Sequence, residues 1–264
     1  MDTLGIVHVA VAPPDTVDLD LIRAVAGIVN KDLSETRLLL VGKVPRIVAH
    51  CHGEQAAGSV ARSLRALGLV TVVCGDRELR QPSRSFRACT SEFGREGVVF
   101  HARDGQLKTV GAKSVLLIHV GRIQSYTEKQ AVSTRVKFSL PGTVLTGGIP
   151  VFRKVKEKTT ELSAESECFV RCYDQLSPES CVEVSQHDFD YSCLGTKMVS
   201  SSYVNLNTVV AELRRTFTSA VFDDRLMQPF RVDMPSTTQR ENIEIVCKLV
   251  FFHHRATGTL GASD

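Results

Sequence analysis

The chain has no tryptophan and only four tyrosines among its 264 residues. Proteins that bind single-stranded nucleic acid stack bases on aromatic side chains, so this composition offers few stacking platforms. The formal net charge of +3 is also small, and by itself it does not indicate a polyanionic partner. Nucleic acid is therefore not the partner we expect, and it stays an alternative.

The sequence also lacks an apolar run of the roughly 20 residues that a membrane-spanning helix needs. No lysine or arginine precedes the first apolar stretch, residues 4–12, which is not the charge pattern of a secretory signal. The eight cysteines are scattered through strand-like apolar runs, which favours reduced, buried thiols over a disulfide framework. We therefore expect a soluble, cytoplasmic protein with no membrane partner.

The common catalytic signatures are absent as well. There is no Gly-rich loop that ends in Gly-Lys-Ser/Thr, no Gly-x-Ser-x-Gly elbow and no His-Glu-x-x-His. The cysteine spacings from Cys168 onward are too irregular for a zinc ribbon. The leading interpretation is a non-catalytic regulatory or interaction protein, in which an α/β module senses a small ligand or docks a protein partner.

Strand-like runs and amphipathic helical stripes alternate over residues 4–74. The strands are predicted at 4–12, 36–41, 46–51 and 69–74, and a helix follows the first and the third of them. This order predicts a ferredoxin-like βαββαβ sandwich, because it lets both helices cover one sheet face. The arrangement resembles small regulatory and ligand-sensing modules of that fold.

From residue 86 the alternation of strands and helices gives way to strands joined by turns. The predicted fold class is therefore α+β. An antiparallel β meander with a turn at Asp104-Gly105 is expected over 86–120. A C-terminal strand-helix-strand unit is expected from strands at 167–173 and 181–186, a helix at 201–217 and a late strand at 243–252. The predicted domains are an α/β module at 1–80, the meander at 81–124, a linker or long excursion at 125–166 with one strand at 135–140, an α+β unit at 167–255 and a frayed tail at 256–264.

Three histidines form the first candidate site. His50 and His52 alternate across Cys51 and share one face if their strand continues. His8 lies on the first strand, which is a neighbour of that strand in a ferredoxin-like sheet. Three imidazoles on the uncovered face could bind Zn²⁺ and leave a fourth position for water, as in a metal-dependent hydrolase. The competing interpretation is that these histidines are structural and that the protein has no cofactor.

Four arginines form the second candidate site. One loop contains Arg77, Arg80, Arg84 and Arg87. The same loop contains Ser83 and Ser85, which add hydroxyl donors. Guanidinium forks suit phosphate and carboxylate groups, so the loop is a candidate for phosphate or nucleic-acid binding. The alternative is a solvated linker. A second basic stretch, 122–158, precedes an acidic one, 159–193, and these two are expected to screen each other.

Overall fold

The computed structural model describes the backbone of residues 5–138, 152–175, 177–228 and 239–260, and the side chains of these residues except 124–138, 152–165, 239, 259 and 260. The chain divides into two compact units. The first comprises residues 1–123 and 167–264, and the second comprises residues 124–166. No helix in the described ranges is long and apolar enough to cross a membrane.

Helices and strands occur in mixed order, which confirms the predicted α+β class. The strands are β1 Ile6–Val11, β2 Arg46–His52, β3 Thr71–Gly75, β4 Phe86–Ala88, β5 Thr90–Phe93, β6 Gly97–His101, β7 Leu107–Gly111, β8 Val115–Phe138, β9 Phe152–Asp174, β10 Cys181–Ser185 and β11 Val221–Leu226. The helices are α1 Leu19–Val29, α2 Leu33–Leu40, α3 Glu54–Ala66, α4 Asp76–Arg80, a 3-10 helix Tyr191–Lys197, α5 Ser202–Thr216 and α6 Gln239–Leu260.

The N-terminal sheet has three strands in the order β2-β1-β3, and β1 is antiparallel to both neighbours. Helices α1, α2 and α3 cover one face, where Val9 and Val11 of β1 pack with Ala57 and Leu64 of α3. The predicted ferredoxin-like unit requires four strands, so that arrangement is not what the chain forms here. The neighbour relation between β1 and the strand that carries His50 is formed.

The missing strand is the one predicted at 36–41, where the chain forms α2 instead. The side chain of Asp32 accepts a hydrogen bond from the Glu35 backbone N–H at 2.7 Å and caps the helix. Leu39 and Leu40 are buried while Leu38 is exposed, which is helical rather than alternating burial. Leucine is a strong helix former, but a run this short and apolar has the same pattern as a buried strand.

The second sheet has the order β11-β8-β9-β10-β4. Strand β11 is parallel to β8, β10 is antiparallel to β9, and β4 is parallel to β10. The predicted meander is confirmed for β5, β6 and β7, which form an antiparallel sheet with a left-handed Gly105 in its second turn. The last part of the predicted meander, 114–120, forms the start of β8 and therefore belongs to the larger sheet.

The second unit contains the end of β8, through Phe138, and the start of β9, from Phe152. The strand predicted at 135–140 overlaps the end of β8, and residues 139 and 140 lie outside the described residues. Most of the basic stretch 122–158 also lies where no side chain is described. The domain boundaries predicted from composition stay predictions.

The late strand predicted at 243–252 is wrong, because these residues lie in the middle of α6. An apolar run without clear periodicity cannot distinguish a buried strand from a helix that is buried all round. Helix α6 is of the second kind: its residues join one core with Ala10 and Val72 of the first sheet and with Leu117 and Phe169 of the second. Residues 256–260 of the predicted frayed tail continue this helix.

The first unit is therefore layered around α6. The face of the N-terminal sheet that faces away from α1–α3 is covered by α6, so it is not the uncovered face that the histidine hypothesis assumed. The far face of the five-stranded sheet packs against α5 and the meander through Ile118, Val170 and Leu206. All eight cysteines are free; five are buried, and Cys51, Cys89 and Cys193 are half-buried. Burial raises the pKa of Cys74, Cys172, Cys181 and Cys247 to about 12.

Candidate functional site

Two of the three predicted histidines meet. His8 of β1 lies directly opposite His50 of β2 in the strand register. Their Nδ1 atoms are 2.8 Å apart, and the rings are perpendicular with centroids 4.9 Å apart. His8 is buried, with 2% of its surface exposed, whereas His50 is exposed. The pair thus joins the covered interior of the sheet to its solvent-facing edge.

Asp76 completes this pair on the other side of β1. It is the first residue of α4 and follows β3 directly. Its Oδ1 atom is 3.0 Å from Nε2 of His8 and accepts a hydrogen bond from Nε of Arg80 at 2.8 Å. Burial opposes ionisation of Asp76, but the hydrogen bonds from Arg80 and His8 outweigh it and lower its pKa. The carboxylate therefore stays charged at neutral pH.

The three-histidine zinc interpretation is not supported by this geometry. Both ring nitrogens of His8 are already in hydrogen bonds, so neither offers a free lone pair to a metal. His52 is exposed and lies opposite Ile6, two residue pairs along the β1–β2 ladder from the His8–His50 pair. In the part of the chain that the structure describes, no group of three or more His, Cys, Asp or Glu side chains could hold a metal ion.

The arginine loop divides into two pairs. Arg80 and Arg87 line a cleft of about 400 Å³, together with Ser83 and Ser85. The side chains of Arg77 and Arg84 are exposed and are not part of its lining. A third arginine, Arg240, reaches the cleft from the first turn of α6. This last contribution could not be foreseen, because Arg240 lies more than 150 positions along the chain.

The cleft has both polar and apolar walls. Leu79, Pro82 and Ile245 provide its apolar lining, and Gln81, Glu241 and Glu244 add polar groups. Glu244 accepts hydrogen bonds from Arg171 and from the Ser83 hydroxyl, the latter at 2.6 Å. Burial opposes ionisation of Glu244, but these bonds outweigh it and lower its pKa. Arg171 therefore compensates the negative charge of Glu244.

Arg171 is the buried anchor of the region, with 3% of its side chain exposed. Its Nε donates to Glu183 of β10 at 2.7 Å, and its Nη1 donates to Glu244 of α6 at 3.0 Å. Burial disfavours the charged guanidinium, but the neighbouring acidic groups raise its pKa well above the ordinary value. The network ties α6, and with it one wall of the cleft, to the five-stranded sheet.

Helix α4 is anchored from the same side by Lys248. This side chain is fully buried in α6, and its ammonium donates to the carbonyls of Glu78 and Gln81 at 2.6 and 2.5 Å. A cation at the carboxyl end of a helix satisfies orphan carbonyls and complements the helix dipole. Lys248 thus holds the carboxyl end of α4, and Asp76 holds the side chain of Arg80.

A second buried cluster lies at the other end of α6. Asp223 of β11 accepts hydrogen bonds from Arg225 and bonds Nε2 of His254 at 2.8 Å. His119, its register partner on β8, is completely buried, and neither ring nitrogen has a hydrogen-bond partner within the described residues. Burial lowers the pKa of His119 to about 3. The sequence placed His119 in a strand but did not connect it with Asp223.

Comparison with known proteins identifies no relative of this chain. No family model, no curated protein and no solved structure matches it.

Proposed function

We propose that the protein is a non-catalytic binding protein for a small organic anion, which carries a phosphate or carboxylate group and occupies the cleft between α4, β4 and α6. The observation that carries the proposal is the convergence of Arg80, Arg87 and Arg240 from three separate elements. Each of these guanidinium groups can offer forked N–H donors to one anion in the cleft.

The chemistry of the lining residues narrows the range of possible ligands. Guanidinium groups bind phosphate and carboxylate oxygens in forked pairs, and the Ser85 hydroxyl can add a single donor, since that of Ser83 already donates to Glu244. Arg80 uses its Nε for Asp76, which leaves other N–H donors of the same guanidinium. Leu79, Pro82 and Ile245 offer contact for an apolar body. A volume of about 400 Å³ lies in the range of small-molecule sites and does not suit a nucleic-acid strand.

Two roles are predicted for the N-terminal region, sensing a small ligand and docking a protein partner, and the first fits this proposal. A ligand-sensing module is the interpretation that we retain, with the ligand at the end of the module rather than on its sheet. We keep the predicted cytoplasmic location, for which the eight free thiols are the supporting observation.

The test is thermal unfolding against inorganic phosphate, phenyl phosphate and benzoate, with sodium chloride at matched ionic strength as the reference. A ligand at 100 times its Kd stabilises the folded state by about 2.7 kcal/mol, so the midpoint should rise for at least one anion. The variants R87Q and R240Q should lose most of this rise. The matched control is R84Q, because Arg84 belongs to the same loop but not to the cleft. Equal loss in R84Q and R240Q, or no rise beyond that in sodium chloride, would refute the proposal.

A further inference from the structure

The hydrogen bonds of the His50–His8–Asp76 chain define one proton arrangement when both imidazoles are neutral. A hydrogen bond between two Nδ1 atoms holds one proton, so one of the two rings donates and the other accepts. The carboxylate of Asp76 can only accept, which places the proton of a neutral His8 on Nε2. Nδ1 of His8 is then the acceptor, and His50 donates from its own Nδ1.

This proton arrangement determines which nitrogen of the exposed His50 ring carries a lone pair. A neutral His50 that is protonated at Nδ1 carries a lone pair at Nε2. No hydrogen bond engages that nitrogen among the described residues, and the residue is exposed. Burial and the positive charges near it lower the pKa of His50, which keeps the ring unprotonated at neutral pH. The lone pair is therefore available to an electrophile from solvent.

We propose that His50 is a phosphoryl-accepting nucleophile that takes the phosphoryl group of an activated donor of the phosphoramidate class on Nε2. The Nε2–P bond forms as the P–N bond of the donor breaks, and the donor nitrogen, already protonated, leaves as ammonia with the bonding electrons. The imidazolium so formed passes its Nδ1 proton to Nδ1 of His8. His8 becomes an imidazolium that is paired with the Asp76 carboxylate.

The surroundings of His50 favour a phosphoryl group over a neutral electrophile. Besides His8, the cations Lys31 and Arg80 act on His50, and Asp76 acts in the opposite direction. Lys31 and Arg80 pair with Glu35 and Asp76, and their remaining N–H donors can attract an anionic donor and stabilise the phosphorylated product. Asp76, whose side chain is half-buried, stabilises the positive charge that moves onto His8, as the carboxylate of a catalytic triad does behind its imidazole. The inference does not need a ligand in the anion cleft and shares only Arg80 with it.

The experiment incubates the protein with potassium phosphoramidate and follows the phosphohistidine by ³¹P NMR and by mass spectrometry at alkaline pH. His52 is an internal control, because it is exposed on the same strand but has no part in the relay. Label should collect on His50 first, H50Q should abolish this fast phase, and H52Q should leave it unchanged. Label that collects on His52 as fast as on His50 would overturn the proposal.

The relay itself is tested with D76N. The amide that this substitution introduces can donate to Nε2 of His8, which reverses the proton arrangement and places the His50 proton on Nε2. Phosphorylation of His50 should slow by roughly tenfold or more, while circular dichroism reports whether the variant is folded. The unmodified protein gives a second readout that needs no variant: ¹⁵N NMR should find His50 protonated at Nδ1. Protonation at Nε2, or an unchanged rate in folded D76N, would contradict the relay.

Discussion

Replacement of Arg171 by methionine tests the buried network that holds α6 against the five-stranded sheet. Methionine preserves much of the side-chain length but removes the guanidinium, which leaves Glu183 and Glu244 without their shared cation. Breaking a buried ion pair by removing one partner costs about 3–5 kcal/mol. Domains are stable by only about 5–15 kcal/mol, so a large part of the stability should be lost.

Urea unfolding followed by circular dichroism measures this loss directly, and thermal unfolding gives an independent value. At about 2–4 °C per kcal/mol for a chain near this size, the midpoint should fall by roughly 6–20 °C. The triple variant R171M/E183Q/E244Q should recover part of the loss, because it no longer buries two uncompensated carboxylates. The control R23A removes an ion pair whose side chains are 60% and 92% exposed, and it should not change the midpoint. A loss of less than about 1 kcal/mol in R171M would refute the assignment of Arg171 as the anchor.

Three further predictions concern stability. Burial lowers the pKa of His119 to about 3 in the folded protein, so the unfolded chain takes up its proton first as pH falls. The contribution of His119 to stability should be full above about pH 6.5 and decline below it. His253, with its pKa lowered to about 4, adds to the decline with the same sign, so H119Q should reduce its slope between pH 6.5 and 4 in urea unfolding without abolishing it. K248M leaves the Glu78 and Gln81 carbonyls without their donor and should cost about 1–3 kcal/mol, whereas an unchanged urea midpoint would rule out that anchoring role. D32A removes the cap of α2 and should cost about 1 kcal/mol by the same assay, and no loss would weaken the assignment of 33–40 as a helix.

Amphipathic periodicity is sufficient to predict a helix from the sequence where that helix has one buried face. Helices α1, α3 and α5 show a single apolar stripe, and they lie where helices are predicted: after the strands at 4–12 and 46–51, and at 201–217. Helix α6 has no such stripe, because two sheets bury it from opposite sides. The sequence carries no local signal for this burial, so its apolar run has the pattern of a strand.

The candidate site is predictable only where one sheet pairing decides it. The contact between His8 and His50 follows from the pairing of β1 with β2, which the sequence suggests. Asp76 reaches His8 across the second pairing of β1, with β3, and its sequence context indicates only the end of a strand. Arg240 lies in a helix whose position depends on the whole first unit, and no local pattern connects it with Arg80 and Arg87.

The central claim is that three arginines form one anion site, and a side-chain NMR titration tests it most directly. Inorganic phosphate is added to ¹⁵N-labelled protein at constant ionic strength while the Nε–H signals of the arginines are followed. Arg80, Arg87 and Arg240 should shift together along one saturating curve, while Arg77 and Arg84 stay in place. Shifts that do not saturate, or that include Arg77 and Arg84 equally, would contradict the claim.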